Sequence, residues 1–336
     1  MSVPPTNPHR IGTTSAAELI QIASEHPPER LISGLLNVGD IFLLHGSEEC
    51  FKSVFMLQVA ESLALGAPLL RSWPVVRPRI VGVIETELHE AMLGDRLANM
   101  FRGMTPPEGI RFLGSGAMHQ WRRAKTLEAK FRIIRTWIHQ EQIDVLLIDT
   151  ANDFFRGDSN PNDETKVGEF FDEIRNLQIA GCGMVRHDRK QKADVIAFAH
   201  TNESIRGSAE WKEDPEAILN LERLDRRTHE VRLEIGKLRY GRKPEPMPLW
   251  FDAASFRLIP LPPVIGALET GPKLRQELLA DCRERFGLGD RKTDEMLAEQ
   301  RPFLRERQVG HQREFEIDRE LAVEAPWACF LPVRQA

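Results

Sequence analysis

Long apolar runs are missing from this chain. Nowhere does it reach the roughly 18 consecutive apolar residues that a membrane-spanning helix needs, so a membrane protein is not expected. Cysteine is scarce and scattered: Cys50, Cys182, Cys282 and Cys329 lie far apart with no C-x-x-C pair. That spacing fits neither a zinc cluster nor a disulfide framework, and a reducing cytoplasm is its simplest setting. An excess of one charge is missing too. The 45 Lys+Arg against 50 Asp+Glu leave a net charge of −5, so any surface for nucleic acid must be local. The opening MSVPPTNPHRIGTTS holds no apolar segment of the kind a secretory signal uses, so export by that route is not expected. There is no internal repeat and no low-complexity tract.

What is present is the balance of a globular protein, 41% apolar and 28% charged residues over 336 positions. This length allows one large domain with an appendage, or two domains. Residues 1–28 read as a partly ordered arm with a short helix from Ala16 to Ser24. From there short apolar runs alternate with helical patterns. Strands are expected at Ile41–His45, Ile80–Glu85, Ile110–Leu113, Val145–Thr150 and Val195–His200, and helices at Ser53–Leu65, Glu90–Arg102, Ala124–Glu141 and Glu164–Ala180. Runs such as VLLID, apolar at consecutive positions, suit strands covered on both faces. Such alternation predicts an α/β core, residues 29–258, around a mostly parallel sheet flanked by helices. Ala217–Leu224, Glu230–Arg239 and Pro248–Asp252 read as an antiparallel extension of it. The proline- and glycine-rich stretch 259–272 suits a linker. Beyond it, residues 273–336 hold a helix at Lys273–Phe286, a second at Arg291–Gln300 and a hairpin at Gln308–Ile317. This is the outline of a small α+β module of winged-helix type.

The chemistry concentrates between the first core strand and the helix after it, in Gly46-Ser47-Glu48-Glu49-Cys50-Phe51-Lys52-Ser53. The frame G-x-x-x-x-F-K-S is one residue from the phosphate loop G-x-x-x-x-G-K-[ST]. Backbone N–H groups of such a loop and of the helix N-terminus point at phosphate oxygens. Lys52 is placed to reach the β- and γ-phosphates, and Ser53 to put its hydroxyl on Mg²⁺. Phe51 in place of glycine, and the carboxylates of Glu48 and Glu49, count against nucleotide. Phe51 is tolerable if its position has helical dihedrals, and the glutamates if they point outward. Without further support, a plain strand–turn–helix corner fits equally well. The strand Ile143–Asp149 supplies that support by ending in Asp149, a carboxylate suited to orienting Mg²⁺ at the sheet's carboxyl edge. Glu85 and Glu87, ending another strand, offer a general base, and one of the two is a solvated strand end. His200 and Asn202 end a further strand, where a γ-phosphate sensor would sit or a structural histidine would serve. Lys237 and Arg239, spaced by one residue on a strand, point to the same side. They suit fingers inserted into a neighbour's phosphate site, or a solvated hairpin tip.

These elements in this order resemble the RecA-like ATPases of the hexameric replicative helicase type. The resemblance is to RepA-like plasmid helicases and the AAA ATPases around them, with the DnaB-type motor as a cousin, and it spans about Pro27 to Phe256. PPERLISGLLNVGDIFLLHG resembles the family's run-up to its phosphate loop, and KSVFMLQVAESLALGAPLL the helix that follows. ETELHEAMLGDRL resembles the segment in which the catalytic glutamate precedes an arginine by nine residues, a register that selects Glu87 and Arg96. HTNESIRGSAEW resembles the stretch after the sensor strand, and KLRYG the K-x-R finger.

The resemblance implies a RecA-like P-loop NTPase core that hydrolyses ATP with Mg²⁺ at the subunit interfaces of a homo-oligomeric ring, hexameric by analogy, moving along single-stranded DNA. By motif match it assigns Lys52 and Ser53 to phosphate and Mg²⁺, Asp149 to Mg²⁺, Glu87 to water activation and His200 to sensing. Lys237 and Arg239 are then supplied in trans, and Tyr240, the only tyrosine, is placed to stack on a neighbour's adenine or to pack at the hairpin tip. The basic loop with Arg186, Arg189, Lys190 and Lys192 is expected to face the ring channel and touch DNA phosphates. A rival from another class is a regulatory or scaffold protein that binds nucleotide with weak or absent hydrolysis. The departure at Phe51 favours it, while Glu87, Asp149 and the Lys237/Arg239 pair favour the motor.

Overall fold

The computed structural model describes residues 14–156, 160–187, 208–224, 229–269 and 271–325. It begins with α1 (Ala16–Glu25), started by a capping box in which the Ser15 hydroxyl accepts from the Glu18 N–H and Glu18 from the Ser15 N–H. Every residue of α1 is exposed, so this helix stands apart from the core. A two-stranded ribbon, β1 (Arg30–Ile32) with β2 (Leu36–Asn37), leads into the central sheet.

Nine strands make that sheet. In chain order they are β3 (Ile41–Gly46), β4 (Val81–Glu85), β5 (Ile110–Phe112), β6 (Val145–Asp149), β7 (Gly181–His187), β8 (Ala217–Arg223), β9 (Glu230–Leu238), β10 (Met247–Asp252) and β11 (Arg257–Ile259). Their spatial order is β11-β10-β9-β8-β3-β7-β6-β4-β5. The pairs among β8, β3, β7, β6, β4 and β5 are parallel, and β9, β10 and β11 add antiparallel pairs at one edge. β8 therefore belongs to the parallel core and not only to the extension, being parallel to β3 on one side and antiparallel to β9 on the other.

Helices cover both faces. α2 (Lys52–Leu65) packs on one, where Val54, Phe55, Val59 and Leu63 meet Phe42 and Leu44 of β3. The other face carries α4 (Ser115–Arg123), α5 (Leu127–Glu141) and α6 (Glu164–Arg175), whose Trp121, Phe131 and Phe170 meet Ile41 and Leu43 of the same strand. Successive residues of β3 thus serve opposite layers. Full burial of side chains of this size contributes about 1.5–3 kcal/mol each. α3 (Glu90–Met100) follows β4 and buries only Leu93 and Met100.

Two expectations fail here. The strand between the phosphate-loop strand and β6 is Gly181–His187, a segment for which no strand is expected and whose last two residues fall in the basic loop, while Val195–His200 lies outside the described residues. Two glycines hide it. A Cβ at Gly183 would come within 2.2 Å of the Phe42 ring, and one at Gly181 within 2.8 Å of Leu31, so the sheet excludes side chains where a strand pattern would show them. Nor is 259–272 a linker. α8 (Pro263–Leu268) is buried throughout, with Pro263 opening the helix at the one point where a missing N–H does no harm.

α8 is the first element of the C-terminal module. β12 (Lys273–Leu274), α9 (Arg275–Phe286), α10 (Asp290–Gln300), β13 (Leu304–Val309) and β14 (Gln312–Ile317) complete it, with sheet order β12-β14-β13. Its core gathers Val264, Leu268, Leu278, Phe286, Leu297 and Phe315, and includes Trp250 of β10. Arg285 donates to both Asp252 oxygens, at 3.1 and 2.7 Å, and fastens α9 to the sheet extension.

Candidate nucleotide site

The parallel strands end in one row, and the polar groups collect there, at the carboxyl edge where open α/β sheets hold ligands. β3 runs into the loop 46–51, and α2 carries Lys52 and Ser53 in its first turn. Gly46 has to be glycine: its φ is 154°, and a Cβ would lie 2.1 Å from the Leu221 carbonyl oxygen. The loop folds around its own lysine. Lys52, 4% exposed, donates to the carbonyls of Gly46, at 3.0 Å, and Ser47, and lies 3.5 Å from the Cys50 sulfur. The Cys50 thiol in turn donates to Ser47 O at 3.0 Å. The N-terminus of α2 has no side-chain cap and no acid in its first turn, so no side chain there competes with an anion for its N–H groups.

Phe51 corrects one expectation. Its φ and ψ are 65° and 26°, so it is left-handed and not helical, in the region that favours glycine. Its ring packs toward the sheet extension. It stacks on Phe251 of β10, with centroids 4.4 Å apart and planes 15° apart, and meets His229 edge-on at 6.2 Å. The Arg223 guanidinium lies 5.4 Å over the same ring and donates to Glu49 O at 3.3 Å. Glu48 and Glu49 are exposed, and the Glu49 carboxylate is 3.8 Å from Arg223. Aromatic packing thus holds in place what backbone preference opposes.

Opposite the loop, three strand ends are laced together. The Thr86 N–H donates to Asp149 O at 2.7 Å, the Thr150 N–H to Thr86 Oγ1 at 3.0 Å, and the Thr150 hydroxyl to Val185 O at 2.9 Å. Asp149 is 4% exposed and the Ser53 side chain acts on its carboxyl, which brings the two halves of the expected Mg²⁺ site near each other. Burial raises the Asp149 carboxyl above its ordinary value, the Ser53 side chain opposing. A hydroxyl and a carboxylate side by side are hard oxygen donors of the kind Mg²⁺ takes, and the buried ammonium beside them suits phosphate. The residues therefore fit both.

The two glutamates separate cleanly. Glu85 turns back to accept the N–H groups of Glu87 and Leu88, at 2.8 and 3.1 Å. Burial first, and then Asp149, push its carboxyl up to about 7. Glu87 instead reaches across to His187 at the end of β7, 3.0 Å from its Nε2. That hydrogen bond is the main reason its carboxyl lies below the ordinary value. His187 is not among the residues the motifs single out. The apolar run Cys182–Val185 one helix after β6 is the signal that points to its strand.

The remaining expected residues lie elsewhere. Arg186 is not on an exposed loop: it is 3% exposed within β7, with its guanidinium 4.0 Å over the Trp211 ring, so it faces protein and not solvent. Arg189, Lys190, Lys192 and His200 lie outside the described residues. Lys237 and Arg239 share one side, as their spacing predicts. Because Leu238 pairs with Ala217, and Ala217 with Phe42, they sit beside the start of β3 while the phosphate loop follows its end. The length of β3, roughly 17 Å, separates them from their own loop. Tyr240 follows them and is 59% exposed.

A parallel core of this strand order, a lysine cradled by the loop of its first strand, and a Ser–Asp pair at the carboxyl edge define a P-loop nucleotide-binding protein with a RecA-like ATPase fold. The chain belongs to the AAA domain family, whose model matches residues 5–193. Among solved structures, one ATPase domain is similar at 12% identity and a TM-score of 0.53, covering 73% of this chain and 97% of that one. A DnaB-like replicative helicase, solved to show its interactions with primase, matches at 11% identity and a TM-score of 0.49 over 66% of this chain and 58% of its own. A KaiC-like protein from Pyrococcus horikoshii matches at 12% and 0.48 over 68% and 93%. At such identities the likeness to the first of these speaks for the fold alone. No curated protein matches the chain in sequence.

Proposed function

We propose that this chain hydrolyses ATP as one subunit of a homo-oligomeric ring, hexameric by analogy, that moves along single-stranded DNA. The observation that carries the reading is the division of the machinery between two edges of one sheet. Lys52, Ser53, Asp149, Glu87 and His187 gather at one edge, and Lys237 with Arg239 at the other. A single chain cannot bring them together, whereas a neighbour in a ring can.

In this reading Lys52 and the α2 N–H groups bind the phosphates, and Ser53 with Asp149 would hold Mg²⁺, which when bound would supply charge stabilisation to the phosphoryl group. Glu87, kept ionised by His187, takes the proton of the attacking water. His187 takes the sensing role that the motifs gave to His200. Lys237 and Arg239 approach the neighbour's triphosphate, and Tyr240 its adenine. Arg189, Lys190 and Lys192 contact DNA phosphates, and Arg186 is withdrawn from that set. The helix, strand and hairpin order of the C-terminal module is that of a winged helix, and cytoplasmic replication is the setting. Among the described residues no helix is long and apolar enough to cross a membrane.

The test is ATP turnover with and without single-stranded DNA, for wild type and Lys52→Ala, alongside the mass of the nucleotide-bound assembly. DNA-stimulated turnover lost in Lys52→Ala, together with a closed oligomer, supports the motor. Equal rates in both proteins remove it. The left-handed Phe51 favours the second reading, a nucleotide-binding scaffold of weak hydrolysis, and slow turnover with tight nucleotide binding would establish that instead.

A further inference from the structure

Between the nucleotide edge and the Lys237/Arg239 pair lies a short helix, α7 (Glu210–Glu213), and its attachments run to both. Its Trp211 is fully buried. The indole ring lies 5.3–5.7 Å from Phe155, Phe170 and Phe171, and its N–H donates to Pro161 O at 3.1 Å. Over its face sits the guanidinium of Arg186, 4.0 Å away and 3% exposed. Arg186 precedes His187 in β7, so the strand that meets Glu87 through one residue holds Trp211 through the one before it.

The other end of α7 grips the basic pair. The carbonyls of Lys212 and Glu213 accept from the Lys237 ammonium at 2.9 and 2.6 Å. Arg239 donates to Glu213 O at 3.1 Å and to Glu216 Oε1 at 3.0 Å, and the second Glu216 oxygen accepts the Ile41 N–H at the start of β3. Two of the three ammonium donors of Lys237 are spent here, and the Arg239 side chain remains 42% exposed. Flexible cations held by backbone carbonyls at a helix end, yet still open to solvent, are pre-organised for an acceptor on another molecule.

We infer that Arg186 and Trp211 are positioning residues: through α7 they hold Lys237 and Arg239 in place for the neighbouring subunit's phosphates. The inference rests on the trans role of that pair proposed above. Freed from its seat on Arg186, Trp211 lets α7 shift, and a misplacement of about 1 Å at transferring charge lowers a rate on the order of 100-fold. The fault lies in what a subunit offers its neighbour, not in its own loop.

Mixing subunits tests this on the full chain. Arg186→Met is expected to lose about tenfold or more of ATP turnover while binding a fluorescent ATP analogue within about twofold of wild type. Lys52→Ala, dead at its own loop, still presents intact fingers. Mixed one to one, the two proteins are expected to turn over ATP several times faster than the mean of each alone, because Lys52→Ala subunits supply fingers to Arg186→Met loops. A purely structural defect cannot be rescued in this way. If Arg186→Met does not fold, Trp211→Leu is judged identically, with Trp211→Phe, which keeps a ring under Arg186, expected to retain at least half of wild-type turnover. Wild-type or raised turnover in Arg186→Met, or no rescue on mixing, overturns the inference. Arg239→Ala separates the two levels. If it loses turnover and is rescued by Lys52→Ala while Arg186→Met is not, only the positioning role fails; if it keeps full turnover, the trans reading fails and the positioning role with it.

Discussion

The Phe51 and Phe251 rings lie 4.4 Å apart and nearly parallel, so the residue that departs from the phosphate-loop pattern is also the loop's anchor to the sheet extension. Phe251 contacts His229 edge-on, and the His229 N–H donates to Phe286 O at the end of α9, which carries the contact on to the C-terminal module.

Two effects of opposite sign meet at Phe51. A left-handed side-chain-bearing residue costs about 1 kcal/mol or more relative to glycine, and stacked rings contribute about 0.5–1.5 kcal/mol beyond their burial. Phe51→Gly loses the stack but relieves the backbone, whereas Phe51→Ala loses the stack and keeps the strain. Urea unfolding is expected to rank wild type above Phe51→Gly, and Phe51→Gly above Phe51→Ala by about 1 kcal/mol. An alanine variant as stable as the glycine one would contradict the left-handed geometry.

The Glu87–His187 contact predicts a separation of binding from rate. Glu87→Gln is expected to lower kcat by at least about 100-fold, the usual share of a general base, with nucleotide affinity nearly unchanged. His187→Asn removes the bond that holds the Glu87 carboxyl below its ordinary 4.5. A base acts only when ionised, so activity falls as pH drops through its pKa, and the acid limb of kcat/KM should move upward in that variant. A limb that stays in place would show that another group titrates.

Glu85 makes a stability prediction. Its carboxyl is pushed from 4.5 up to about 7 by burial and by Asp149. Below pH 4.5 it is protonated whether the chain is folded or unfolded and carries no penalty. Between 4.5 and 7 the unfolded chain ionises first, so stability falls as pH rises, and above 7 the full penalty is present, on the order of 3 kcal/mol. Glu85→Gln keeps an acceptor for the Glu87 and Leu88 N–H groups. It should therefore raise the unfolding midpoint at pH 8 and leave it nearly unchanged at pH 4; equal midpoints at pH 8 would count against a buried, ionised Glu85.

Asp252 and Arg285 hold the module to the core. Burial by itself would raise the Asp252 carboxyl, but the Arg285 hydrogen bonds and charge outweigh it and leave it below its ordinary value. Arg285→Met leaves a buried carboxylate without its cation, a loss of about 3–5 kcal/mol. Guanidinium unfolding is expected to show the module melting before the core, and a single transition at the wild-type midpoint would refute the role of the pair.

Much of this protein follows from local pattern. Consecutive apolar residues in VLLID and IFLL suit strands covered on both faces, and the G-x-x-x-x-F-K-S string places a loop and helix N-terminus after IFLL. Asp149 is legible because it ends such a strand; Glu85 ends the other, and only the resemblance to the family's register selects Glu87 two residues on. The rest depends on what the sheet brings together. β7 carries glycines because Phe42 and Leu31 occupy the room of their side chains, a reason found only on other segments, so neither the strand nor His187 is visible locally. Phe51 is left-handed because Phe251, 200 positions away, holds its ring, and Arg186 is buried because Trp211 receives it. The 259–272 stretch has the composition of a linker, yet Pro263 starts a helix that the module's core covers. Periodicity and end signals are short-range properties of a chain, whereas exclusion, stacking and burial belong to pairs that only folding makes neighbours.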